Sequence, residues 1–231
     1  SLVLFAGNAI ATPYGVGGGI ATGLDAIAIG ESSKALGILS MALGADSVAQ
    51  GTESAAIGTD AKALGNESIA LGARAEALAE NSTALGSQST AKKEMDLAVG
   101  YSAIASGGES TAVGFDSKST GFASNAIGNF SLAEGYYSTA VGHDAHAAAA
   151  YTLAAGHGAI ASGEQSTAVG FDSKSTGLAS NAIGNSSLAK GDRSTAVGYG
   201  AHATADSTLA AGQGAIASGG QSTAVGLDSK S

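Results

Sequence analysis

The sequence predicts an all-β fold in which a parallel β-roll is wound as a solenoid of 14-residue coils. Two observations support this prediction. A glycine recurs every 14 residues from Gly30 to Gly226 without a slip, and an alanine stands two residues before each of these glycines. Around them, small residues occupy alternate positions, which is the period of a β-strand. Strict spacing over this many copies is typical of a solenoid in which each repeat forms one coil.

The composition argues against several other classes of protein. The 231 residues include 36 glycines, one proline, no tryptophan and 5% aromatic residues, too few bulky side chains to fill a globular core. The formal charge of −9 argues against nucleic-acid binding, and without cysteine neither a disulfide nor a thiolate metal site is expected. No apolar run reaches transmembrane length, so we expect no direct insertion of this segment into a membrane.

Positions within a coil are numbered from the recurring glycine, which is position zero. Positions −4, −2, 0, +3 and +5 are small, and position +7 is usually glycine. We expect one strand from −4 to 0 and a second from +3 to +7, joined by two-residue corners. Since only Ala, Ser and Gly fit between sheets packed this closely, the interior is predicted to be a thin seam of methyl groups and hydroxyls. Stacked at about 4.8 Å per coil, the coils make a rod roughly 70 Å long.

The outward residue at position −1 is a branched aliphatic in all but two coils. A continuous apolar stripe of this length is expected to be covered by protein. Burying one such side chain stabilises a complex by roughly 1.5–3 kcal/mol. Burial of all these side chains together therefore outweighs the entropic cost of association, which is about 4–15 kcal/mol. We therefore predict a subunit interface formed by Ile29, Leu43, Ile57, Leu71, Leu85, Val99, Val113, Ile127, Val141, Val169, Ile183, Val197 and Val225.

The array is expected over residues 19–231, as about fifteen repeats, with residues 1–18 as an irregular lead-in. The pattern weakens where Lys93 replaces a glycine and Asp96 replaces a serine. Beyond that point a four-coil unit recurs, which duplication explains. The array stops in the middle of a repeat, so we expect this chain to be a fragment of a longer one.

The consensus Ser-x-Ala-(Ile/Val)-Gly-x-x-(Ser/Ala)-x-Ala-x-Gly resembles the head repeats of YadA-like trimeric autotransporter adhesins. Examples are residues 68–72 with 75–77, and residues 124–128 with 131–133. The resemblance covers about residues 19–231. It implies a left-handed parallel β-roll whose chains associate side by side as a homotrimer, displayed on the bacterial cell surface beyond the outer membrane. It also implies that the head binds extracellular matrix proteins, cells, other bacteria or abiotic surfaces.

No catalytic residue, cofactor or metal site is predicted, and the chain is not expected to be an enzyme. His143 and His157 share position +1 and are expected to stack about 4.8 Å apart, but no carboxylate or cysteine column accompanies them as metal ligands. The aspartates at position +2 lack the glycine-rich pattern of calcium-binding rolls and are interpreted as turn residues. Neither a nucleophile elbow nor a phosphate-binding loop is present.

The candidate surface-contact residues are aromatic side chains at the corners: Tyr101, Phe115, Phe171, Tyr199, Tyr136 and Tyr137. Exposed aromatic residues are typical contact anchors, although the same side chains equally fit a role in covering neighbouring subunits. The leading hypothesis is an adhesin head that binds its targets multivalently and without catalysis. Two alternatives stay open. Low chemical variety across the coils suggests a passive structural spacer, and the repeated Ser-Thr pairs suggest an ice-binding β-solenoid.

Overall fold

The computed structural model describes residues 12–231, which form two parallel β-sheets. Strands alternate along the chain between the two sheets, so each coil contributes one strand to each. The first sheet has 16 strands and the second has 15. This is the all-β parallel solenoid that the glycine period predicts. Nowhere in the described range is there a helix of the length and apolar character needed to cross a membrane.

The first sheet consists of β1 Tyr14–Val16, β3 Ile27–Ile29, β5 Met41–Leu43, β7 Ala55–Ile57, β9 Ile69–Leu71, β11 Thr83–Leu85, β13 Leu97–Val99, β15 Thr111–Val113, β17 Asn125–Ile127, β19 Thr139–Val141, β21 Leu153–Ala155, β23 Thr167–Val169, β25 Asn181–Ile183, β27 Thr195–Val197, β29 Leu209–Ala211 and β31 Thr223–Val225. The second sheet consists of β2 Ile20–Ala21, β4 Lys34–Ala35, β6 Val48–Ala49, β8 Lys62–Ala63, β10 Glu76–Ala77, β12 Thr90–Ala91, β14 Ile104–Ala105, β16 Lys118–Ser119, β18 Leu132–Ala133, β20 His146–Ala147, β22 Ile160–Ala161, β24 Lys174–Ser175, β26 Leu188–Ala189, β28 His202–Ala203 and β30 Ile216–Ala217.

The strands are shorter than the five residues expected from the sequence. Strands of the first sheet span positions −3 to −1, and those of the second sheet span +4 and +5. The flanking residues belong to four-residue turns, closed for example by hydrogen bonds from Ser33 N to Gly30 O and from Ser40 N to Gly37 O, both 3.3 Å long. We call positions +1 and +2 the first corner of each coil, and positions +8 and +9 the second corner. The predicted two-residue corners are thus present.

The interior is a seam of small side chains, as predicted. Alanines at positions −2 and +5, such as Ala70 and Ala77, have no exposed surface. Serines at position −4 are buried beside them, and their hydroxyls mostly donate to the first carbonyl of the second-corner turn, as Ser40 Oγ does to Gly37 O at 2.7 Å. The hydroxyl therefore satisfies a carbonyl that the packed sheets shield from water.

The glycines at position zero lie where the chain leaves the first sheet, not inside a strand as expected. Gly58 has a φ of +132°, a conformation that L-residues rarely adopt. A Cβ built on Gly58 would also lie 2.6 Å from the carbonyl oxygen of Gly72 in the next coil. Both the backbone conformation and the close stacking of coils therefore require glycine at this position.

The ladder begins earlier than the predicted lead-in allows. Strand β1 pairs in parallel with β3, with Tyr14 opposite Ile27. The offset is one residue shorter than a regular coil because Gly17 and Gly18, both with positive φ, turn the chain. Within the lead-in assigned to residues 1–18, residues 1–11 lie outside the described residues.

Candidate interaction surface

The branched aliphatic stripe at position −1 lies on the outer face of the first sheet. None of its thirteen residues is buried in the single chain. Exposure is 42% for Ile29, 46% for Leu71 and 66% for Val225. The pleat explains this arrangement, since the alanine at −2 points into the seam and its neighbour at −1 must point out. The side chains proposed for a subunit interface are therefore available on one face of the roll.

Six rings form a continuous ladder along the first corner. Its members are Tyr101, Phe115, Phe130, His143, His157 and Phe171, with neighbouring ring centroids 4.9–5.6 Å apart. Tyr101 stacks on Phe115, and His143 stacks on His157 with centroids 4.9 Å apart, close to the separation expected from the coil rise. The ladder thus brings together three of the predicted contact residues: Tyr101, Phe115 and Phe171.

Four rings form a compact cluster at the second corner: Phe122, Tyr136, Tyr137 and Tyr151. Phe122 stacks on Tyr136 with centroids 5.5 Å apart, and Tyr137 stacks on Tyr151 at 6.0 Å. Tyr136 and Tyr137 meet edge to face at 4.4 Å. The neighbouring Tyr137 phenol raises the pKa of Tyr136, chiefly by hydrogen bonding, and the nearby Glu109 carboxylate adds to the shift.

The sequence-based candidates do not all belong to these groups. Tyr199 is 62% exposed and has no ring contact within the described part of the chain. Conversely, Phe130, Phe122 and Tyr151 lie outside the six predicted contact residues, yet all three rings belong to the ladder or the cluster. In the sequence, the one indication that these three rings would join the others is that they lie at neighbouring corners.

Two of the four histidines each pair with a single carboxylate. His146 Nε2 lies 2.7 Å from Glu134 Oε2, and His143 Nδ1 lies 3.1 Å from Asp144 Oδ2. All four side chains are substantially exposed. Over residues 12–231, no three histidine, aspartate or glutamate side chains converge as metal ligands.

Asp96 is the one carboxylate buried in the seam of the described coils, with 1% of its surface exposed. Its Oδ1 accepts hydrogen bonds from Gly108 N at 2.9 Å, Ser110 N at 3.0 Å and Ser110 Oγ at 2.7 Å. Its Oδ2 accepts one from Lys93 N at 2.8 Å. Asp96 therefore ties its own corner to that of the following coil.

Two successive four-coil blocks differ only at and beside the corners. We call residues 101–156 the first block and residues 157–212 the second block. Every strand residue is identical between them, and all but one of the differing positions are at least partly exposed in the first block, the exception being Gly108. In the first block the differing residues are Tyr101, Ser102, Gly108, Glu109, Phe122, Phe130, Glu134, Tyr136, Tyr137, His143, Asp144, Ala148, Ala150 and Tyr151. The scaffold is constant and the exposed corners vary.

Comparison with known proteins finds a matching family and a similar solved structure. A family model described as the YadA head domain repeat (2 copies) matches residues 21–47, 35–61, 49–75, 63–89, 77–94, 91–117, 119–145, 133–159, 147–173, 175–201 and 203–229. The chain is also similar to the crystal structure of the collagen-binding domain of the Yersinia adhesin YadA, with 30% identity over 60% of this chain and 70% of that chain and a TM-score of 0.45. A search of curated proteins finds no match. Because the family matches extend over most of the coils, this chain belongs to the family of YadA head domain repeats.

Proposed function

We propose that this chain is the head of a bacterial surface adhesin that attaches its cell by multivalent contact and without catalysis. Membership of the YadA head family carries the proposal. The exposed rings at both corners support it, since large aromatic side chains on a rigid scaffold are common anchors of protein contacts. The targets proposed are extracellular matrix proteins, the surfaces of host cells or other bacteria, and abiotic surfaces.

Attachment is tested with the purified chain on wells coated with separate matrix proteins, on cultured cells and on bare plastic. We expect saturable binding to at least one of these surfaces. If one particle binds through several weak contacts, its apparent affinity should be much higher than the affinity of a single contact. A correctly folded particle that adheres to none of the three kinds of surface contradicts the proposal.

We further propose that the functional particle is a homotrimer assembled through the stripe at position −1. The exposed aliphatic residues of the first sheet support this, because sister chains related by rotation can cover them all at once.

The trimer is tested by sedimentation equilibrium, which gives the mass of the particle. The variant L71D/I127D is expected to weaken association, whereas K34D, on the outer face of the second sheet, should leave it unchanged. A wild-type chain that is folded and monomeric at micromolar concentration contradicts the trimer, and thermal hysteresis in that monomer would favour the ice-binding alternative.

A passive spacer is the second candidate, favoured by the identical strands of the two blocks. Deletion of residues 157–212 removes four whole coils and keeps the register of the ladder. Deletion of residues 101–156 does the same but also removes most of the rings. A spacer tolerates either deletion with adhesion unchanged, whereas an adhesive head loses binding in at least one of them.

A further inference from the structure

The four rings at the second corner are dispensable for the fold. In the second block the equivalent residues are Leu178, Asp192, Arg193 and Ser207. The backbone does not change with them, since φ is +53° at Tyr137 and +54° at Arg193. The same backbone conformation therefore forms with or without the rings, and a contact role accounts for the cluster of exposed aromatic groups in the first block.

A groove lies beside this cluster, at the coil where the column of rings is interrupted. Phe122 stacks on Tyr136 in the following coil, while the preceding coil has Gly108 in the same position. A Cβ on Gly108 would lie 3.5 Å from Phe122 Cδ2 and 3.7 Å from Lys93 Cδ. The resulting groove of about 310 Å³ is lined by Lys93, Glu94, Gly107, Gly108, Glu109 and Phe122. One face of Phe122 thus borders a space that a flat group can enter.

The groove is built on a fixed base. The buried carboxylate of Asp96 accepts a hydrogen bond from Gly108 N and another from Lys93 N. It therefore holds the backbone on both sides of the groove. Four coils further along the chain, Thr152 takes the place of Asp96 and Glu164 takes the place of Gly108, so neither this base nor the open position recurs there.

The rim of the groove carries two unpaired carboxylates. Glu94 and Glu109 are exposed, and neither takes part in an ion pair within residues 12–231. A ring face next to free carboxylates favours a planar cation, because the guanidinium group stacks on aromatic rings and binds carboxylates with two parallel hydrogen bonds. An ammonium group has neither property to the same degree.

We propose that the second-corner cluster of Phe122, Tyr136, Tyr137 and Tyr151, with the groove at Gly108, binds arginine side chains of an extended polypeptide. One guanidinium lies on the free face of Phe122 and pairs with Glu94 or Glu109, while neighbouring residues of the ligand contact the tyrosines. This inference rests on the proposed adhesive function and names the chemistry of its ligand.

The test measures fluorescence anisotropy of three labelled peptides with the intact chain at 150 mM salt. The peptides are four Gly-Ser-Arg repeats, the same sequence with lysine, and the same sequence with citrulline, the neutral analogue of arginine. We expect the arginine peptide to bind at least tenfold more tightly than the citrulline peptide, and more tightly than the lysine peptide. Equal binding of arginine and citrulline peptides overturns the proposal.

The matched variant is F122L/Y136D/Y137R/Y151S, which transfers the residues of the second block to the first. It leaves the net charge unchanged, and each new residue already occupies the equivalent site in a folded coil. We expect it to bind the arginine peptide at least tenfold more weakly. The control E53Q/E67Q removes two charges from second corners that lack rings, and should change binding less than twofold. Unchanged binding in the ring variant, or an equal loss in the control, overturns the proposal.

Adhesion of the same proteins separates this inference from the proposed function. If the wild type adheres to a target but fails to bind the arginine peptide, the site is wrong and the adhesive function is retained. If the wild type binds the peptide through the cluster but adheres to none of the tested surfaces, the site is right and the adhesive function is contradicted.

Discussion

Replacing Gly58 by alanine should destabilise the roll more than replacing a glycine at a corner. At Gly58 the new methyl group meets the carbonyl oxygen of Gly72 at 2.6 Å and the carbonyl carbon at 2.7 Å. The coils must separate or shift locally to remove this overlap, at a cost of about 1–3 kcal/mol for overpacking. Strain at a φ of +132° adds about 1–3 kcal/mol. The expected loss in free energy of unfolding is about 4 kcal/mol.

Gly200 provides the matched control. It lies at the first corner with a φ of +62°, and a Cβ there meets nothing within 4 Å. Asp60 occupies the same coil position with a φ of 58°, so the conformation is open to L-residues. Alanine at Gly200 should therefore cost only about 1–2 kcal/mol.

The two variants are compared by guanidinium denaturation at one fixed protein concentration, because subunit association makes apparent stability depend on concentration. Hydrogen exchange adds a local readout. Each coil contacts only its neighbours, so exchange in Gly58→Ala should rise most in the adjoining coils. Equal midpoints for the two variants, or a Gly58→Ala midpoint equal to that of the wild type, would refute the steric argument.

Three further predictions concern the seam and the surface. Asp96→Ala leaves several buried N–H groups without an acceptor and should lower the free energy of unfolding by about 3 kcal/mol. Asp96→Ser restores the repeat consensus and should lower that free energy by less. Equal losses for the two variants in chemical denaturation would contradict this prediction. Ser138 Oγ is buried without a hydrogen-bond partner in the described structure, so Ser138→Ala should leave the thermal midpoint unchanged or raise it. Ser124→Ala removes a hydroxyl that contacts three oxygens, and should lower the free energy of unfolding by about 1 kcal/mol. The hydrogen bond from Lys62 Nζ to Glu76 raises the pKa of Lys62 above 10.5. The ion pair therefore contributes its full stabilisation below pH 10.5, and this contribution is lost as the pH rises through the higher pKa of the folded state. Since both side chains are partly exposed, Lys62→Met should cost less than about 1 kcal/mol at neutral pH, and a stability gap that widens above pH 10.5 would refute the assignment.

The seam was predictable from sequence because the same steric demand recurs in every coil. Only small side chains fit between the two sheets, so the period of alanine and glycine reveals both the strands and their inner face. The strand lengths were not predictable in the same way. Residues such as Ser33 and Ser40 follow the alternation but donate their backbone N–H groups to turn carbonyls. The pattern of small residues continues into the turns, where the ladder geometry has already ended.

The aromatic groups were predictable only where rings share one coil position. Tyr101 and Phe115 both stand at position +1, and their stacking follows directly from the coil spacing. The next coil has Asn129 at that position, and Phe130 at +2 fills the gap by meeting Phe115 and His143 edge to face. This contact depends on how far a ring leans along the corner, which position counting does not reveal.

Asp96 illustrates a different limit. In the sequence it breaks the serine pattern and looks like a weak point of the array. In the structure its carboxylate accepts four hydrogen bonds from two successive corners. A single substitution that departs from a repeat therefore need not weaken it, because a different donor and acceptor pattern can satisfy the same buried groups.

The identical strands of the two blocks also bear on how such a molecule changes length over evolutionary time. Gene recombination between the blocks gains or loses 56 residues at a step, and each new junction keeps the 14-residue spacing and the same strand residues. No compensating mutation is needed, since a coil depends only on the coils beside it. Each event changes the length of the roll by about 19 Å, or four coil rises, so the length of the roll varies independently of the residues that its corners carry.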